Sequence, residues 1–120
     1  MPKKATPLFL VYGGNDLDGH AYRVVASCPP HLEDFLSYDR LGRPYAPRKQ
    51  FQATGVSMYT SFEGARAAAN RFNIGRAIAE IELTRPVMWT PSGGDGHITV
   101  WSPASTLLRH VLQCEEIDSE

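Results

Sequence analysis

Three short segments carry the side chains able to do chemistry. Arg23 follows Tyr22 in an apolar stretch. Ser57, Tyr59 and Ser61 recur at every second position of Gly55-Val56-Ser57-Met58-Tyr59-Thr60-Ser61, and His97, Thr99 and Trp101 do the same in Gly96-His97-Ile98-Thr99-Val100-Trp101. Residues two apart on a strand share a face, so each of the last two segments presents one polar and aromatic row. Converging rows would line a hollow with a guanidinium, a phenol, small hydroxyls and an imidazole. That inventory suits a ligand that combines phosphates with a planar ring. A guanidinium grips phosphate through a rigid fork of donors, a phenol gives a flat stacking surface, and hydroxyls orient ribose or amide groups. Glu80 and Glu82 alternate with Ile81, as the solvent row of a strand does.

Each residue has a plainer reading beside the chemical one. Arg23 at a sheet edge would pair with Glu33 or Asp34. Tyr59 would be a half-buried strand aromatic, His97 would bond a turn carbonyl, and Trp101 would pack at the rim.

The elements that must position these groups follow from hydrophobic period and turn chemistry. Strands are expected over 7–12 and 21–27, the second closing at Pro29-Pro30, with a short helix over 30–37. Residues 38–54 read as a long polar loop in which Arg40, Arg43, Arg48 and Lys49 interleave with Tyr38, Tyr45 and Phe51, a candidate lid. The 55–61 strand runs straight into an alanine-rich helix, with Thr60-x-x-Glu63 as its capping box and Gly75 as its stop. Three consecutive alanines, Ala67 to Ala69, let that helix lie close to a sheet. Strands over 76–84 and 97–101 alternate cleanly, with a short strand near Val87-Met88-Trp89 between them. Ser102 and Pro103 open a last helix, and an acidic tail from about 114 adds an edge strand. The pattern predicts one α+β domain over 1–120: a compact, mostly antiparallel, split sheet of five or six strands with two or three short helices.

With Tyr22-Arg23 on an early strand and Gly-x-Ser-x-Tyr-x-Ser feeding an alanine-rich helix over 55–70, the chain resembles the ADP-ribosyltransferase-like fold. The small bacterial toxin-type members, which include the RES-domain proteins, look nearest. The resemblance spans roughly residues 20–105 and implies a split sheet that clamps NAD as substrate. It implies that Arg23 contacts the dinucleotide and that Tyr59 packs on nicotinamide, with Ser57 or Ser61 beside it. It also implies a glutamate that stabilises the oxocarbenium-like ribose as nicotinamide leaves. In this chain the strand at the expected place, 96–101, carries no acid, so Glu82, Glu80 or His97 would take that part, with Thr99 beside the cofactor. The resulting expectation is an NAD-utilising ADP-ribosyltransferase or NAD glycohydrolase, a toxin type. Its partners would be a macromolecular acceptor or a cognate antitoxin or immunity protein. The competing expectation is a non-catalytic protein-binding module built on the polar loop and exposed aromatics.

Composition narrows the classes further. At 120 residues, 42% hydrophobic and 21% charged, the chain has the make-up of one soluble globular domain. Twelve Lys+Arg against thirteen Asp+Glu give a net charge of −1, which argues against nucleic acid bound by phosphate neutralisation. No apolar run approaches the roughly 20 residues that span a membrane. The six apolar residues near the N-terminus are shorter than a signal-peptide core, so a cytoplasmic protein, or an effector secreted without a cleaved signal, is expected. Cys28 and Cys114 are the only cysteines and lie at opposite ends, so reduced thiols are expected. Neither they nor the four scattered histidines have metal-ligand spacing.

Overall fold

The fold is that of a computed structural model, which describes residues 19–42, 53–83, 88–94 and 96–117. The expected 7–12 strand and the Arg43, Tyr45, Arg48, Lys49 and Phe51 part of the loop lie outside the described residues. The chain order is β1 (His20–Val25), a 3-10 helix (Leu32–Phe35), α1 (Tyr38–Leu41), β2 (Val56–Tyr59), α2 (Phe62–Phe72), β3 (Ala77–Glu82), β4 (Met88–Pro91), β5 (His97–Trp101), α3 (Ala104–Arg109) and β6 (Val111–Glu116). The six strands make one sheet in the order β4-β5-β2-β1-β3-β6, and every described pairing is antiparallel. The expected α+β class therefore holds.

Alternation decides which residues meet which layer. On one face Ala21, Val25, Met58, Ala79, Ile81, Ile98 and Val100 are buried against Phe35 of the 3-10 helix and Leu107 of α3, with Trp89 of β4 completing the cluster. On the other face Val24, Tyr59 and Ile78 pack against Ala65, Ala68 and Ala69 of α2. Those three alanines recur at helical spacing, and their small side chains bring the helix axis close to the sheet. The two faces are thus closed by different helices, and full burial of a side chain the size of Phe35 contributes about 2–3 kcal/mol.

Several boundaries differ from the sequence reading by one step of turn chemistry. Ser61, not Thr60, is the N-cap of α2; its Oγ accepts from Gly64 N–H at 3.0 Å. The helix ends at Asn73 in the left-handed conformation (φ 53°), two residues before Gly75. The expected 30–37 helix contracts to the 3-10 helix, while Tyr38–Leu41 is helical where a loop was read. Pro103 rather than Ser102 is the N-cap of α3. β6 begins at Val111, before the expected tail strand, because its residues pair with β3 from Ile81↔Val111 to Ala77↔Glu116.

The cysteines correct a further expectation. Cys28 and Cys114 form a disulfide, with Cα atoms 5.7 Å apart across 86 residues of sequence. β3 lies between β1 and β6, and Cys114 sits opposite Ala79, which in turn faces Arg23. The sheet order thus carries the end of the chain to the segment just after β1. Sequence separation had suggested isolation; strand order creates the contact.

Candidate functional site

β1 and β2 meet at a single pair, Tyr22↔Tyr59, whereas β1 and β3 pair along six positions. In antiparallel geometry the backbone groups of alternate residues point to the same neighbour, so Ser57 C=O, like that of Tyr59, is directed at β1. The Ser57 carbonyl accepts from Arg23 Nη1 at 2.6 Å, and Arg23 Nε donates to Asp34 C=O at 2.7 Å. A guanidinium therefore bridges the place where β1 and β2 part, and ties both strands to the 3-10 helix. Charge-assisted bonds of this length are among the stronger ones in a protein.

This placement separates Arg23 from the phenol it was expected to face. Tyr22 and Tyr59 are cross-strand partners on one face, so the side chain of Arg23, one residue on, leaves β1 on the other. Arg23 is not an edge residue either, because β1 is flanked by β2 and β3. It reaches the backbone of Ser57 from beneath, and two of its donors go to carbonyls. The expected partner Asp34 contributes its backbone oxygen, while its carboxylate accepts from His31 N–H at 2.8 Å and Ala26 N–H at 3.3 Å.

On the Tyr59 face the registers Ser57↔Thr99 and Tyr59↔His97 bring two expected rows together. Ser57 Oγ lies 2.7 Å from His97 Nε2, and the Tyr59 and His97 rings sit 5.1 Å apart at a 51° tilt. His97 Nδ1 is 3.0 Å from Ser92 Oγ, and Thr99 Oγ1 donates to Ser92 Oγ at 2.9 Å. Ser92 lies in the β4–β5 turn, where Ser92 N–H donates to His97 C=O at 2.9 Å and His97 N–H to Gly94 C=O at 3.0 Å. The turn thus supports the imidazole through both backbone and side chain. Sequence reasoning passed over Ser92; the signal was a short hairpin turn next to a strand that opens on histidine.

The remaining expected residues are distributed as follows. Thr99 is buried, 3% exposed, and stands behind the imidazole rather than on the surface. Ser61 is engaged as the α2 cap. Trp101 Nε1 donates to Thr54 Oγ1 at 3.0 Å, and its indole with the Thr99 methyl closes on Gly55, where an added Cβ would stand 2.5 Å from Thr99 Cγ2. Glycine is therefore the residue that lets the entry to β2 pass against β5. Glu82 is exposed on β3, which two strands separate from β5, or roughly 14 Å at ordinary strand spacing. The structure does not bring it to His97.

A second polar group continues the same lateral row. The successive pairings His97–Tyr59–Tyr22–Glu80–Gln113 cross five strands. Glu80 accepts from Gln113 Nε2 at 2.6 Å and lies 2.9 Å from His20 Nδ1. Burial raises the Tyr22 phenol above its ordinary range, and the Glu80 carboxylate, by charge and hydrogen bond, and then Glu63 push it the same way. The ring of Phe62, at the start of α2, meets Tyr22 edge-on with centroids 6.4 Å apart.

Among the described residues no group of three or more His, Cys, Asp or Glu is arranged to hold a metal, and no helix is long and apolar enough to cross a membrane. Comparisons with protein-family models, with curated proteins and with solved structures find no match.

Proposed function

We propose that the chain is an NAD-utilising enzyme, with its site at the parting of β1 and β2. The observation that carries this reading is convergence: the side chains of Ser57, Tyr59 and His97, from two strands, meet on one face beside the parting of β1 and β2, while Arg23 holds the Ser57 backbone from the other face. The resemblance drawn from the sequence called for a serine and a tyrosine together at the site, and the shared face of Ser57 and Tyr59 supports that part of it; the arginine lies on the other face. The bond broken is the one between nicotinamide and ribose. Its electron pair leaves with the nicotinamide, and water or a macromolecular nucleophile then takes the ribose carbon. The Tyr59–His97 pair offers the ring surface. Ser57 supplies a hydroxyl to the carboxamide or ribose, and preorganised polar groups there act on the charge that develops. Arg23 fixes the Ser57 backbone rather than holding the pyrophosphate.

The reading also has a compartment. Of the two expected from sequence, the Cys28–Cys114 disulfide favours the secreted one, since such bonds persist in oxidising surroundings. An effector of this kind would act on a macromolecular acceptor and be held by a cognate immunity protein.

Two observations favour the alternative, a non-catalytic protein-binding module. Tyr59 is only 7% exposed, and two of the Arg23 donors are taken up by backbone. The deciding experiment is incubation with NAD and detection of released nicotinamide, beside calorimetric titration with NAD. The enzyme reading expects release by the wild type and its loss in Ser57→Ala and His97→Ala. No release and no saturable NAD binding, together with recovery of a stable partner from the source cell, would leave the binding module.

A further inference from the structure

Residues 28–34 form a strap across one face of the sheet, fastened at both ends. The pairings Arg23↔Ala79 and Ala79↔Cys114 set Arg23 and Cys114 in one lateral row on the same face, two strands or roughly 10 Å apart at ordinary strand spacing. The small side chain of Ala79, fully buried, lies between them. Cys28 is bonded to Cys114 at the β6 end of that row. At the β1 end Asp34 C=O accepts from Arg23 Nε at 2.7 Å, and Arg23 Nη1 donates to Ser57 C=O at 2.6 Å. Asp34 also holds the strap in shape, because its carboxylate accepts from His31 N–H at 2.8 Å and Ala26 N–H at 3.3 Å. Short contacts thus run without a break from the covalent bond at Cys28 to the Ser57 backbone.

We propose that the Cys28–Cys114 bond is a redox-operated fastener for this strap: a dithiol that reduces it loosens the hold on Arg23, and with it the parting of β1 and β2. Both cysteines are half-buried, and their neighbours Pro29, Glu115 and Glu116 are exposed, so the pair is open to a dithiol. One thiolate of the dithiol attacks one cysteine sulfur, and the S–S electron pair leaves on the other cysteine, which takes a proton. The second thiolate of the dithiol then displaces the first cysteine, so the dithiol ends as a disulfide and Cys28 and Cys114 as two thiols. Phe35, 1% exposed, stays seated in the core beside Leu107 and keeps the 3-10 helix on the sheet, so the release is local. What is lost is the tie that limits the freedom of residues 26–31, and hence the aim of the Asp34 carbonyl. The effect on catalysis rests on the NAD reading; the coupling from the bond to Arg23 does not.

The experiment compares the whole chain oxidised, reduced with dithiothreitol and reoxidised, well below its melting temperature, by hydrogen exchange read in proton–nitrogen NMR. Asp34 N–H donates to His31 C=O at 2.9 Å, so the His31 and Asp34 amides and Arg23 Nε–H all report on the strap. Reduction should speed their exchange at least about tenfold, leave the β4–β5 amides unmoved, and be undone by reoxidation. Cys28→Ser with Cys114→Ser should show the reduced pattern and ignore dithiothreitol. In the nicotinamide-release assay reduction should lower the rate at least about tenfold, since a small misplacement of site groups costs that much. Unmoved exchange at Arg23 Nε–H overturns the proposal. So does loss of protection across the whole sheet, which would make the bond a general staple. Equal release from oxidised and reduced protein, despite faster exchange, overturns the control of the site. The NAD reading fails separately: no release from the oxidised wild type, with exchange behaving as stated, would refute the substrate and leave the strap standing.

Discussion

Replacing Arg23 separates what the structure says from what the sequence alone suggested. A ligand-holding arginine can be removed with little effect on folding, whereas this one joins three backbone segments. It makes two charge-assisted bonds to carbonyls, at 2.6 and 2.7 Å. Each such bond contributes about 1.5–3 kcal/mol, or about 3–6 kcal/mol for the pair before relaxation. Arg23 is partly exposed, and water will recover part of that at the vacated carbonyls, so Arg23→Ala is expected to cost about 2–4 kcal/mol. Lysine keeps the charge but offers a compact ammonium in place of a fork, so Arg23→Lys should keep one of the two bonds and lose about half as much. Urea unfolding followed by circular dichroism reads this directly. With a slope of about 1–3 kcal/mol/M for a small domain, the Arg23→Ala midpoint should fall by at least roughly 0.7 M, and that of Arg23→Lys by less. If the Arg23→Ala midpoint and slope match the wild type within about 0.2 M while NAD binding disappears, the bridging role is wrong and the sequence expectation was right.

Two more perturbations test other parts of the fold. The Cys28–Cys114 bond closes a loop across 86 residues, so Cys28→Ser with Cys114→Ser should lose about 2–4 kcal/mol, lowering Tm by roughly 10–20 °C in a calorimetric scan. An unchanged Tm, with both cysteines alkylatable in the untreated wild type, would contradict the pairing. Because the folded state raises the Tyr22 phenol, stability linked to this group is fully present below its unfolded pKa of about 10 and drains away as pH climbs through the folded value. Tyr22→Phe should therefore flatten the alkaline limb of a stability–pH curve measured by urea titration, and identical limbs would refute the contribution.

What could be read from sequence, and what could not, divides along one line. Alternation within a strand is local, so the sharing of a face by Ser57 and Tyr59, and by His97 and Thr99, followed from spacing alone. The same holds for the pairing of an alanine stripe with the sheet. How two strands are aligned is not local. A shift of one residue exchanges faces, and that single step puts Arg23 behind Tyr59 instead of beside it. Glu82 lies away from His97 for the same class of reason: nothing in its own segment says that β1 and β2 come between it and β5. The disulfide depended on sheet order, and Ser92 on how tightly the β4–β5 turn closes over the ring. Cap positions missed by a residue because Thr60 and Ser61 are equally good acceptors by type, and only the backbone decides which is used.

The sheet order also governs when this protein can come into being during synthesis. β4 and β5 alone among the described strands are neighbours joined by a short turn. Elsewhere the pairing is distant: Arg23 and Ser57 are 34 positions apart, Glu80 and Gln113 33, and Ser57 and His97 40. Loop closure of that length must precede any reward from pairing, which places such topologies among millisecond-to-second folders. The earliest described strand becomes the middle of the sheet, and the outer side of its neighbour β3 is covered only by β6, the last described strand. A chain made in order thus holds its central strand unpartnered until β2 and β3 have followed, and completes that side of the sheet only with β6.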